Sequence, residues 1–332
     1  MRAAATMAAE DDPVRSRRWI GGLLGGALAC ALATPMATAD TPGADRLVQA
    51  LAWQACLSPA PATSWQGTCA AAFGMGGWTA PEMATLLGYQ GRALLVAGDA
   101  VEGMRVLNQA LALDPDAATA LLARGLFLVG RGDFAGGVRD LTAALRVMPG
   151  DPDAMNARAV AYVRLGQLPQ AIADLGAGLA RFPNHPILLH NRANALRDSG
   201  AVESALRDYD RLILVHGRTA AALTDRCLAR LVRGDLALAE ADCVAAEAMA
   251  PDDPGIIENR GLVELRWNRP DKALAHFNLA LSIRQDMPWS LYGRGVVRLR
   301  RGDVARAGVD IRAARALDPR VSEDLARFGI RP

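Results

Sequence analysis

Apolar residues along this chain come in short groups at helical spacing, each group is broken by a turn, and the grouping returns every 34 residues. The stretch ARGLFLVGRGDFAGG, residues 123–137, shows the pattern and its oddity. Apolar positions spaced for a helix share it with five glycines: Gly125, Gly130, Gly132, Gly136 and Gly137. Each interior glycine costs a helix roughly 1 kcal/mol relative to alanine, so their density needs a reason. Gly130-Arg131-Gly132 resembles the start of a phosphate-binding loop. Ala135 stands where the third glycine of that fingerprint would fall, and no strand-like run precedes it. No Gly-Lys-Ser or Gly-Lys-Thr occurs anywhere in the chain.

The reason emerges one period up and down the chain, where self-similarity has to be tested first. Small residues fall at Gly91, Gly125, Ala159, Ala193, Cys227, Gly261 and Gly295, an interval of 34 each time. A second small series is Gly103, Gly137, Ala171, Ala205, Ala239, Ala273 and Ala307. A turn series is Gly98, Gly132, Gly166, Gly200, Gly234, Asn268 and Gly302, and a break series is Pro115, Pro149, Pro183, Gly217, Pro251, Gln285 and Pro319. The pattern resembles the tetratricopeptide repeat family. That resemblance implies an all-α fold, a right-handed α-solenoid of seven 34-residue helix-turn-helix units at 84–117, 118–151, 152–185, 186–219, 220–253, 254–287 and 288–321. Gly132 then ends a first helix, Asp133 caps a second, and Gly125 and Gly137 lie where the two helices meet. Gly130 and Gly136 have no such role. Pro152, Pro186, Pro254 and Pro288 open first helices, where a missing N–H costs little. The chain departs from the family at its fourth position, aliphatic here (Leu87, Leu121, Met155, Leu189, Leu223, Ile257, Leu291). It departs again at the eleventh, where Tyr162 keeps the family's tyrosine and Arg230, Glu264 and Arg298 do not.

A fifth series is Arg124, Arg158, Arg192, Arg226, Arg260 and Arg294. A sixth is Asp140, Asp174, Asp208, Asp242 and Asp310, with His276 in the remaining place. Arginine precedes aspartate by sixteen residues in five repeats. A row of arginines is one way to hold a polyanion. The matching aspartates favour an ion-pair ladder instead, stitching the two helices of a repeat or one repeat to the next, with the planar arginine fork suited to a carboxylate.

The resemblance implies that first helices line an inner groove through the second, fifth, ninth, twelfth and thirteenth positions of each repeat. The ninth and twelfth are mostly apolar: Leu126, Val129, Val160, Val163, Leu228, Leu231, Leu262, Leu265, Val296 and Leu299. Repeat 4 differs, with His190, Asn194, Arg197 and Asp198, and Asn156 holds the fifth position of repeat 3. One reading is an apolar trough with a polar waist, fit for a helix or an extended peptide; the other is helix-on-helix packing. Trp289 and Tyr292 open the face of the last repeat as an aromatic anchor or as packing. The family's basic clamp for a peptide carboxylate has no counterpart here.

Ahead of the repeats, Arg15, Arg17 and Arg18 precede an apolar run from Trp19 to Ala33, with Ala37-Thr38-Ala39 as a cleavage site. This reads as a secretory signal over 1–39, too short for a transmembrane helix and leaving none in the mature chain. It predicts export, to the periplasm. A partial twin-arginine motif at Ser16–Ile20 and a degenerate lipobox ending at Cys30 are alternatives, and the acidic Glu10, Asp11 and Asp12 fit a start site placed too early. Four cysteines remain after cleavage, an even count that suits disulfides in an exported chain. Cys56 and Cys69 would close a loop within the non-repeat segment 40–83, a bond worth roughly 3 kcal/mol. Cys227 and Cys243 face each other in repeat 5, bonded or as small reduced core residues. Leu325, Phe328 and Ile330 make 322–332 a cap on the last repeat.

Composition agrees with these elements. The chain is 332 residues long, 51% apolar and 5% aromatic, which supports a large helical core. A net charge of +2 gives no case for nucleic acid. Four histidines, no HExxH and no GxSxG leave no catalytic constellation, no metal site and no cofactor to expect. The sequence therefore predicts a non-enzymatic exported scaffold that binds a protein or peptide. A self-assembling homo-oligomer, or an enzyme accessory acting through residues 40–83, are the alternatives.

Overall fold

A computed structural model describes residues 77–332. The secretory signal, Cys30 and the Cys56–Cys69 pair lie outside the described residues. Fifteen helices and no strand occur among the described residues. They form two compact units. The first, up to Pro183, holds α1 (Ala80–Val96), α2 (Ala100–Leu113), α3 (Ala118–Gly130), α4 (Phe134–Val147), α5 (Pro152–Arg164) and α6 (Leu168–Arg181). The second, from Asn184, holds α7 (Pro186–Asp198), α8 (Val202–His216), α9 (Ala220–Arg233), α10 (Leu236–Met249), α11 (Pro254–Arg266), α12 (Pro270–Ile283), α13 (Pro288–Arg300), α14 (Val304–Leu317) and α15 (Val321–Arg327). Odd-numbered α1 to α13 are the first helices of seven pairs, and each packs on the even-numbered helix that follows it. Within each unit, a second helix also packs on the first helix of the next pair.

The elbow inside each pair follows from the turn series. The turn residue, glycine or asparagine, adopts a left-handed backbone in every pair, from φ +57° at Asn268 to +91° at Gly98 and Gly234. That conformation is costly for a residue with a Cβ and lets the helix end cleanly. At Gly132 the N–H bonds to the Val129 carbonyl (3.1 Å) and the next N–H, of Asp133, reaches back to Leu128 (2.9 Å). Two orphan carbonyls of α3 are satisfied by this closure. Asp133 then accepts from the Gly136 N–H at 2.8 Å and starts α4. Asp99 and Asp303 cap α2 and α14 in the same way.

Close approach of paired helices explains two of the five glycines. A Cβ on Gly137 would lie 2.5 Å from Val129 Cγ2 and 3.2 Å from the Gly125 carbonyl, and one on Gly125 would lie 2.7 Å from Leu141 Cγ. Gly130 faces open space. In repeat 5 the equivalent contact is covalent: Cys227 and Cys243, both fully buried, form a disulfide with their Cα atoms 5.6 Å apart. The first helix of the array begins at Ala80, so the last residues assigned to the non-repeat segment 40–83 already belong to it. The Glu82 carboxylate accepts from the Thr79 N–H at 2.8 Å and fixes that start.

Candidate binding surface

The arginine and aspartate series meet in space. Arg124 Nε and Nη2 donate to the two oxygens of Asp140 (2.6 and 2.9 Å). Arg158 holds Asp174 (2.7 and 2.7 Å) and Arg192 holds Asp208 (2.7 and 2.7 Å) in the same two-pronged way. Arg226 holds Asp242 (2.8 and 2.7 Å), and Arg294 holds Asp310 (2.9 and 2.8 Å). The Asp174 carboxylate raises Arg158 above its usual value, and Asp242 does the same for Arg226, each chiefly by hydrogen bonding.

A third prong was not visible in the two series. The Nη1 of Arg124 donates to Asn108 (2.8 Å), that of Arg158 to Thr142 (3.0 Å), that of Arg226 to Asp210 (2.7 Å) and that of Arg294 to Asn278 (3.2 Å). These acceptors sit sixteen residues before each arginine, on the second helix of the preceding repeat. Each such arginine therefore joins three helices of two repeats. Their fork is spent on the fold, which leaves the row of arginines with little to offer a polyanion.

The polar waist of repeat 4 is also internal. His190, Asn194 and Arg197 follow one another at helical spacing on one face of α7. His190 Nε2 lies 2.6 Å from Oδ2 of Asp225 on α9, a carboxylate the sequence reading did not single out. Arg197 Nε donates to Asp198 (3.0 Å), and its Nη1 is 3.7 Å from Asp225. The Tyr209 hydroxyl of α8 donates to Asn194 Oδ1 at 2.5 Å. Burial opposes the charge on Arg197, but Asp198, Tyr209 and Asp225 outweigh it and raise the guanidinium above its usual value. Six side chains thus satisfy one another, as a buried polar cluster must.

Several residues expected in the groove lie inside. Asn194 is 4% exposed, Asn156 3% and Tyr292 1%, so none of them is presented to a ligand in this conformation. Neighbouring helices cover them on the side the helical register alone leaves open. The apolar trough gives way for the same reason. Val129, Val160, Leu228, Leu231, Leu262, Leu265 and Val296 are buried between helices. His190, Asp198 and Trp289 stay partly exposed, and Trp289 meets the Phe328 ring edge-on at 5.3 Å.

What remains accessible on the first helices varies from repeat to repeat. The thirteenth position reads Val96, Gly130, Arg164, Asp198, Val232, Arg266 and Arg300, while the architectural positions hardly change. Among the described residues no group of three or more His, Cys, Asp or Glu side chains is placed to hold a metal ion. No described helix is long and apolar enough to cross a membrane.

Comparison with known proteins agrees with this architecture. Two family profiles, each described as "Tetratricopeptide repeat", match residues 90–160 and 190–254. No curated protein matches the chain in sequence. Among solved structures, a tetratricopeptide repeat protein from Parabacteroides merdae superposes with a TM-score of 0.65 at 19% identity, over 75% of this chain and 99% of that one. A chain of the APC/C hetero-tetramer Cut9–Hcn1 gives 0.59 at 14% identity, over 81% of this chain and 53% of that one. PilW, a type IV pilus biogenesis factor, gives 0.54 at 16% identity, over 64% and 98%. At these identities the likeness is one of fold.

Proposed function

Because the chain belongs to the tetratricopeptide repeat family, we propose that it is an exported, non-enzymatic scaffold that holds a protein or peptide partner on the first-helix face of its repeats in the cell envelope. The observation that carries this reading is the division of labour inside the repeat. Elbow, ladder and close-packing positions recur every 34 residues, whereas the thirteenth position is valine, glycine, arginine or aspartate in different units. A constant frame with a changing face is how a stacked repeat builds an extended recognition surface. Export is supported by the basic and apolar pattern of residues 15–39 and by the buried Cys227–Cys243 disulfide, a bond typical of oxidising compartments.

The reading is tested in the producing cell. A photo-crosslinking amino acid is placed at Arg164, Asp198 or Arg300 on first helices, and at Arg139, Arg207 or Arg312 on second helices. Adducts with one defined partner from the first set and not the second are expected, along with a mature N-terminus at Asp40. Adducts with this chain alone would replace the scaffold by a self-assembling protein. Adducts from second helices alone would move the binding face. An intact Met1 on the protein recovered from cells would refute export.

A further inference from the structure

The 34-residue phase continues past the seventh repeat: Leu325 and Gly329 stand 34 residues after Leu291 and Gly295. Helix α15 is thus the start of an eighth first helix, halted after seven residues. Gly329 halts it with the elbow's own geometry, a left-handed backbone at φ +71°, with the Gly329 N–H on Ala326 (2.9 Å) and the Ile330 N–H on Leu325 (3.0 Å). Val321 and Leu325, both fully buried, already cap the array. Residues 328–331 do something more.

They lie against two first helices. The Phe328 ring, 6% exposed, packs edge-on against Trp289 of α13, and Ile330 is 1% exposed in the same cluster. Arg300 Nη2, from the end of α13, donates to the Arg331 carbonyl at 2.9 Å. Gly329 is pressed on the Arg266 guanidinium of α11, where a Cβ would come within 2.6 Å of Nη1. An aromatic anchor, an aliphatic anchor two residues on and a main-chain carbonyl held by an arginine are contacts of the kind that seat a bound peptide, made here by a helix-ending turn. One group is left unserved: Arg266 Nε is buried without a hydrogen-bond partner. A buried donor left unpaired is costly, and a glycine has no side-chain acceptor to offer it.

We infer that the Trp289–Arg266–Arg300 surface of repeats 6 and 7 is a peptide site that the chain's own residues 328–331 keep closed, and that its partner is an acidic peptide of the form aromatic–acidic–aliphatic. The acidic residue replaces Gly329 and supplies the carboxylate that Arg266 lacks, the guanidinium swinging aside to receive it. The aromatic and aliphatic residues take the places of Phe328 and Ile330. This rests on the scaffold reading and names the partner class and the regulation of one part of its surface.

The test uses purified protein and fluorescein-labelled peptides SFDIS, SFGIS and SADAS, read by fluorescence polarisation. The chain ended after Arg327 should bind SFDIS at least tenfold tighter than SFGIS and leave SADAS unbound. The full chain should bind SFDIS at least tenfold more weakly than the shortened one. Arg266→Gln in the shortened chain should bring SFDIS down to the level of SFGIS. The full chain carrying Phe328→Ala and Ile330→Ala repeats the measurement if the shortened chain loses its far-ultraviolet helix signal. A folded variant that binds no peptide, or that does not tell SFDIS from SFGIS, overturns the inference. So does loss of fold in both variants, which makes residues 328–331 part of the cap. Neither result touches the crosslinking pattern expected of the first-helix face as a whole.

Discussion

The ladder makes a prediction whose size depends on which rung is cut. Among the described residues Arg192 is the one hydrogen-bond partner of the Asp208 side chain, through two bonds of 2.7 Å, and that side chain is 9% exposed. Arg192→Ala leaves that carboxylate buried and uncompensated. The cost of breaking a buried pair is about 3–5 kcal/mol, and because the Arg192 side chain is 28% exposed we expect about 2–4 here. Asp242 is different, since Arg230 Nη1 also donates to it at 2.6 Å. Arg226→Ala should therefore cost about 1–2 kcal/mol, the loss of hydrogen bonds to a charged group that retains another partner. Replacing both members of the first pair, Arg192→Met with Asp208→Leu, should return to within about 1 kcal/mol of the parent, because an apolar pair of similar volume removes the stranded charge. Urea unfolding followed by far-ultraviolet circular dichroism measures all three, with the slope checked because a repeat array can unfold in parts. An Arg192→Ala variant no less stable than Arg226→Ala would refute the reasoning. A double variant as unstable as the single one would show that the pair holds the fold by more than mutual neutralisation.

Three further outcomes follow from the same geometry. Cys227→Ala with Cys243→Ala should lower stability by about 3 kcal/mol, the value for a loop of this size, and the native thiols should stay unreactive toward a maleimide after reductant until the protein is unfolded. Gly137→Ala should destabilise, since its Cβ would strike Val129 and the Gly125 carbonyl, whereas Gly130→Ala, whose Cβ meets nothing, should stabilise by about 0.5–1 kcal/mol in the same urea assay. Burial, and then the Arg260 charge, lower the pKa of His276 below its usual 6.5. The unfolded chain then takes up this proton more readily, so stability should fall as pH drops below about 6.5 and be unaffected above it. The difference between parent and His276→Gln urea midpoints at pH 5 and pH 7.5 isolates that contribution, and an identical pH response in both would refute it.

The fold was legible in the sequence because its determinants repeat. A left-handed elbow admits glycine or asparagine in every copy, so the turn series stands out against any background. The same holds for the arginine and aspartate series, in which both partners keep one residue type. The third prong was hidden because its acceptors, Asn108, Thr142, Asp210 and Asn278, share an oxygen and nothing else. Depth was hidden as well. Helical register places Asn194 and Tyr292 on the first-helix face, but how far the flanking helices overlap that face depends on packing that register does not encode. Asp225 escaped notice because it is no member of a series and sits beside Arg226, a residue that is.

Repeat 6 shows why departures from the period need sorting by what they touch. His276 replaces the ladder aspartate there, and Arg260 turns to Glu247 of the preceding second helix (3.2 Å) and toward Glu264 on its own helix (3.9 Å). Glu264, 1% exposed, also takes Arg269 at 3.3 Å. In the repeats on either side the residue at the place of Glu264 is Arg230 or Arg298, and each adds a bond to the ladder aspartate, at 2.6 and 2.7 Å. The acid has moved from the second helix to the first, and its neighbours carry arginine at that same place. The sequence Arg230, Glu264, Arg298 looks like the loss of a family tyrosine, three unrelated changes open to a functional reading. In space it is one exchange of charge that keeps each cluster balanced. Variation on the accessible edge of the first helices follows no such exchange: Arg164 lies over the Phe134 ring, Asp198 takes Arg197 and Arg300 the Arg331 carbonyl, and each keeps exposed surface, which is why the search for a ligand belongs there.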